Sequence, residues 1–134
     1  MSTDPHTPTP ATAPITLGAV NLEADDPAAL AAFWAAALGG TVNDSTTGSH
    51  YLSPRDPAGF GMFFQPRTAP RPVHQTQHLD LTVPWGSRTA EVARLVSLGA
   101  VHRWDVLDEV PWAQWSTLAD PEGNLFCLAE HPPR

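Results

Sequence analysis

The second half of this chain repeats the first. Leu38-Gly39 returns as Leu98-Gly99, sixty residues on, and Asp56-Pro57-Ala58-Gly59 returns as Asp120-Pro121-Glu122-Gly123, sixty-four residues on. The two lags differ by one short insertion, placed in a hairpin. Two copies of so long a period do not make a solenoid, which needs three or more. They are read instead as a duplicated strand–helix–three-strand (βαβββ) unit. In a chain of 134 residues each unit is about half the molecule, too small to bury the face of its own sheet. The two units must therefore pack on each other or on a second chain.

The first unit is assigned to residues 15–65. Its opening stretch alternates, with Val20, Leu22 and Ala24 on one face and Ala19, Asn21 and Glu23 on the other. Asp26-Pro27 supplies an N-cap followed by proline at the first helical position. The helix that follows carries Leu30, Phe33, Trp34 and Ala37 at helical spacing and stops at Gly39-Gly40. Strands are expected at 41–44, 50–53 and 60–65. After a connector at 66–75, the second unit spans 76–130. Leu79, Leu81 and Val83 oppose His78, Asp80 and Thr82; a helix runs from about Ser87 to Leu98 with Val92, Leu95 and Val96 inward; strands follow at 101–104, 114–119 and 124–130. Residues 1–14 hold four of the fifteen prolines and little to bury, so they are expected to be a disordered tail.

Composition excludes several classes. Seven cations, all Arg, stand against fourteen Asp and Glu, a net charge of -7 that opposes binding to nucleic acid or anionic membranes. One Cys excludes an intramolecular disulfide framework and a four-Cys zinc site. No apolar run approaches the roughly 20 residues of a membrane helix, and the opening residues lack the basic start and apolar stretch of a secretory signal. A soluble cytoplasmic protein is expected.

Few residues are placed for chemistry. His78 and Asp80, two apart on a strand, share a face, so the carboxylate can orient the imidazole for proton transfer. Cys127, between Phe126 and Leu128, reads either as a ligand contact or as a small buried hydrophobe. Asn21 and Glu23 are polar on a presumed inner face. Trp104, Trp112 and Trp115 cluster between the second and third strands of the second unit, and Trp85 follows its first strand. Such rings suit a flat apolar ligand held by stacking, or else a mini-core beneath a long hairpin. Asp105, Asp108 and Glu109 nearby favour a cationic or hydroxylated ligand over an anionic one. The Asp-Pro-x-Gly turns are read as structural only.

The order Asp26-Pro27, Phe33-Trp34, Leu38-Gly39, His78-Leu79-Asp80-Leu81, Leu98-Gly99-Ala100 and Asp120-Pro121-Glu122-Gly123-Asn124 resembles the vicinal-oxygen-chelate superfamily, the glyoxalase/bleomycin-resistance/dioxygenase group, and within it the glyoxalase-like subgroup. The resemblance covers Ile15 to Glu130. It implies an α+β fold in which two tandem βαβββ units form a curved mixed sheet around a cavity, with helices outside, and a homodimer. It also implies a metal pattern with one ligand on the first and last strand of each unit. Those positions carry Ala19, Phe63 or Gln65, His78 and Cys127, so two of the family's donors are missing and neither metal nor other cofactor is expected. The expected function is binding of an aromatic or polycyclic metabolite or antibiotic, with Phe63 and Gln65 among the ligand contacts. The alternative is a lyase, isomerase or cyclase using His78 and Asp80. Metal-dependent glyoxalase or extradiol dioxygenase chemistry suits these residues least.

Overall fold

The computed structural model describes residues 13–133, so the expected tail lies outside it except for Ala13 and Pro14. Each half of the chain lays down the same elements. The first gives β1 (Ala19–Ala24), α1 (Pro27–Leu38), β2 (Thr41–Asp44), β3 (His50–Ser53) and β4 (Gly61–Pro66). The second gives β5 (Leu79–Thr82), α2 (Arg88–Ser97), β6 (Val101–Val110), β7 (Ala113–Ala119) and β8 (Leu125–Glu130). The strands form two four-stranded sheets, ordered β1-β4-β3-β2 and β5-β8-β7-β6. In each, the first and last strands pair in parallel and the rest antiparallel. Parallel pairing follows from the helix, which carries the chain back across the sheet.

Local chemistry explains the boundaries. Asp26 caps α1, its carboxylate accepting the Ala29 N–H at 3.1 Å, and Pro27 takes the first turn, where a missing N–H costs nothing. The helix ends at Gly39 and Gly40, both at positive φ; a Cβ on Gly40 would lie 2.1 Å from the Ser53 carbonyl. The two Asp-Pro-x-Gly turns fold alike. In both, the Asp carbonyl accepts the Gly N–H and the Asp carboxylate accepts the N–H two residues on.

Two sequence expectations change. Val96 is exposed, leaving Val92 and Leu95 as the buried stripe of α2. β6 runs ten residues rather than four, so much of the tryptophan-rich segment is strand, with a register shift between Val106 and Val110. The insertion thus lengthens the second hairpin.

The units share one core. Leu30, Trp34, Met62 and Phe64 from the first pack in a single cluster with Leu118, Phe126 and Leu128 from the second. Trp34 meets the Phe126 ring edge-on at 4.9 Å and donates its indole N–H to Asp120 at 3.1 Å. Asp120 is buried and also receives the Asn124 side-chain amide. The turn therefore does more than reverse the chain: it docks the second unit onto α1. Glu122 continues this seam, accepting the N–H groups of Asp25 and Asp26 and the Arg67 guanidinium. Arg94 of α2 donates to the Ala36 and Ala37 carbonyls, which end α1 without a basic residue of its own.

Candidate functional site

Strand register decides which side chains share the face away from the helices. On the second sheet, Asp80 pairs with Cys127, Cys127 with Thr117, and Thr117 with Trp104. The next row runs Thr82, Ala129, Trp115 and Val106. Small residues thus floor the middle of the face, with two tryptophans to one side and His78 with Asp80 to the other. They line a hollow of about 570 Å³, within the range of small-molecule sites.

His78 Nε2 lies 2.9 Å from an Asp80 carboxylate oxygen; the side chains are 49% and 73% exposed, so water screens the pair. Cys127 has the opposite setting. Burial pushes its thiol pKa up, its hydrogen bond with Thr117 opposes this, and the nearby Asp80 carboxylate adds to the rise. The thiol stays protonated at neutral pH and is a poor nucleophile. The ligating atoms of His78, Asp80 and Cys127 lie within 4.8 Å of one another.

On the first sheet the equivalent face carries Tyr51 opposite Phe63 where the second has Thr117 opposite Cys127. Asn21 pairs with Phe63 as Asp80 pairs with Cys127, which makes Phe63, rather than Gln65, the counterpart of Cys127. Tyr51 packs on Phe63 with ring centroids 4.6 Å apart and covers Gly61, where a Cβ would lie 2.7 Å from the ring. Gly61 is what lets the ring lie flat. Glu23 and Gln65, at the far end of this face, pair in register away from the hollow of the second unit.

The sequence-expected site residues therefore separate. The hollow gathers His78, Asp80, Trp104, Trp115 and Cys127. Asn21 lines the seam between the units. Trp85 borders a separate cavity of about 330 Å³ with Asp108 and Glu109. Trp112 is 66% exposed at the hairpin tip, outside the hollow, because the two-residue turn leaves it no strand partner. Asp105 also turns away: neighbouring strand residues alternate, so it faces α2 and receives the Ser116 hydroxyl at 2.6 Å. Thr82, Val106, Thr117 and Ala129 were missed, although each sits two residues from a residue already placed on that face.

Beneath α2 lies a polar cluster that the sequence did not announce. Glu130, 3% exposed, accepts the Gly86 and Arg88 N–H groups, the Arg88 guanidinium and the Gln114 amide. Burial raises its carboxyl pKa, but these hydrogen bonds outweigh burial and hold it below the usual value. Asp105 is also held low, first by Ser116, against burial, with His102 and Arg88 adding to the effect. Among the described residues, no buried side-chain nitrogen or oxygen lacks a partner.

A family model described as a glyoxalase-like domain matches residues 19–129. No curated protein sequence matches the chain. Among solved structures, the chain is similar to a glyoxalase/bleomycin resistance protein/dioxygenase family enzyme from Burkholderia phytofirmans PsJN, at 18% identity and a TM-score of 0.76, covering 88% of this chain and 100% of that one. The fosfomycin resistance protein FosX from Listeria monocytogenes follows at 14% and 0.73, covering 88% and 94%. TioX from Micromonospora sp. ML1 aligns at 17% and 0.58, covering 87% and 99%. At these identities the likeness concerns the fold.

Proposed function

Since the chain belongs to the glyoxalase-like domain family, we propose that it is a cytoplasmic binding protein whose second-unit hollow takes a planar aromatic or polycyclic metabolite or antibiotic without a metal. One observation carries this reading: Trp104 and Trp115 stand beside a floor of Thr117, Cys127 and Ala129, leaving a flat apolar bed with polar groups at one edge. The similarity to a fosfomycin resistance protein supports small-molecule recognition as the general class. Calorimetric titration against a panel of planar aromatic compounds tests it. A binder is expected whose affinity falls at least about tenfold in Trp115→Ala, near the stacking and burial energy of one ring. A panel with no binder, or one whose binders ignore both Trp104→Ala and Trp115→Ala, overturns it.

The donor set supports metal independence. Metal-dependent relatives of the resembled superfamily draw ligands from both units, but the first unit offers Ala19 and Phe63 at those positions, and neither side chain has a donor atom. The remaining three, His78, Asp80 and Cys127, come from one sheet. His78 and Asp80 face each other at 2.9 Å, and the thiol would have to ionise against its raised pKa. The set does not fit the family's metal. Elemental analysis of protein purified without chelator is expected to find no stoichiometric transition metal; one that is lost in His78→Ala overturns this reading.

The His78–Asp80 contact favours a second reading, a lyase, isomerase or cyclase in which His78 moves a proton and Asp80 positions it. Turnover that collapses in Asp80→Asn while ligand affinity persists would select it. A homodimer belongs to the proposal, supported by the exposed Val101, Leu107 and Trp112 on the outer hairpin. Sedimentation equilibrium is expected to give twice the chain mass.

A further inference from the structure

A second cavity, also about 570 Å³, lies along the seam where β1 and β5 face each other unpaired. Leu22, Trp34 and Phe126 form its apolar depth, and Asn21, Thr76 and Gln77 its rim. His78 lines both this cavity and the tryptophan hollow, so the two spaces meet at one imidazole.

The rim is held in place. Gln75 donates its side-chain amide to the Gln77 and Leu125 carbonyls at 2.7 and 2.9 Å, and its side-chain oxygen accepts the Leu125 N–H at 2.8 Å. One glutamine thus staples the connector to β8 and presents Thr76 and Gln77 at a fixed height. Pre-organisation of this kind lowers the ordering cost of binding.

Charge narrows the ligand. No Asp, Glu, Lys or Arg among the described residues lines the seam, and His78 is its one titratable group. A charged substituent would lose water there without a counter-ion, which is costly. Amides and a hydroxyl both donate and accept, matching a neutral group with several hydroxyls. The apolar depth suits the CH face of a sugar.

We propose that the seam is a second subsite, and that the ligand is an aryl glycoside whose planar aglycone lies by Trp104 and Trp115 while its neutral sugar enters past His78 to meet Asn21, Thr76 and Gln77. This rests on the reading of the hollow given above. The sugar gives specificity through hydrogen bonds, since an aglycone alone leaves the rim amides to water.

Matched pairs test it: 4-methylumbelliferone and its β-glucoside, 1-naphthol and its β-glucoside, and a hydroxyanthraquinone and its β-glucoside, each titrated by calorimetry into the full chain. The glucoside is expected to bind at least about tenfold more tightly than its aglycone in at least one pair. Gln77→Leu is expected to erase that preference while leaving aglycone affinity unchanged; Asn21→Leu, on the opposite wall, is an independent second variant. Trp115→Ala weakens both members of the pair. Equal affinity within every pair, or a Gln77→Leu loss shared by both members, overturns the sugar subsite and leaves the aromatic hollow standing. No binding by any aglycone or glucoside overturns both.

Discussion

Glu130 and Trp34 show how single side chains set the stability of this molecule. Glu130 ties the end of β8 to the start of α2 and holds the buried Arg88 guanidinium together with Ser116 and Asp105. Its folded pKa lies below the ordinary value of 4.5, and that of Asp105 below 3.8. Their contribution is therefore complete above those values and is lost as pH falls through them toward the lower folded pKa values. The urea midpoint is expected to fall steadily below about pH 4.5, and Glu130→Gln to flatten that dependence while lowering stability at pH 7. Truncation to Ala should cost about 1.5–3 kcal/mol, because it removes a charged hydrogen-bond partner of Arg88 and leaves that guanidinium only Asp105 and Ser116. Trp34→Phe keeps most of the apolar contact but removes the donor to Asp120; a loss of about 1–3 kcal/mol is expected from urea melts. The sequence marked Trp34 as core through its helical spacing. It gave no sign of Glu130, because the partners of Glu130 lie 16 to 44 positions away and only the folded register brings them together.

At the scale of elements, the two sheets share a plan and differ in what covers them. The duplicated turns, the capped first helix and the alternation of β1 and β5 were all legible, because each depends on residues close in sequence. The packing of Tyr51 over Phe63 and Gly61 was not. Alternation tells which face a residue takes, but not whether its ring leans across a neighbouring strand onto Gly61. Gly61→Ala is expected to cost about 1–3 kcal/mol by driving that ring off its seat. In a Tyr51→Ala background the same change should cost much less, and a double-mutant cycle of chemical denaturation measures the difference. The long β6–β7 hairpin makes the opposite contribution, raising Trp104 and Trp115 beside a floor of small residues. The site is therefore one-sided, which repeat symmetry alone would not suggest.

As a whole, the molecule is two half-domains joined by side chains rather than by a continuous sheet. The Asp120 turn, Glu122 with Arg67, and Arg94 on the end of α1 all cross the seam. Unfolding is expected to be a single cooperative transition, with tryptophan fluorescence and far-ultraviolet circular dichroism superimposing; two separated transitions would show that the halves are independent. The sequence arithmetic required such a partnership, and the common core meets it within one chain. The part Gln75 and Gln77 play in the seam was not legible, since Gln75 sits in the connector with no periodicity to orient it and Gln77 precedes the first residue of β5, Leu79.

The contact between Trp34 and Phe126 has a consequence for biosynthesis. The indole leaves the ribosome long before its aromatic companion is translated, an interval of roughly 5–20 s at bacterial or eukaryotic elongation speeds. Throughout that wait the nascent amino-terminal half carries an uncovered greasy surface. Chaperone dependence and aggregation during expression should therefore track how quickly the closing strand is made.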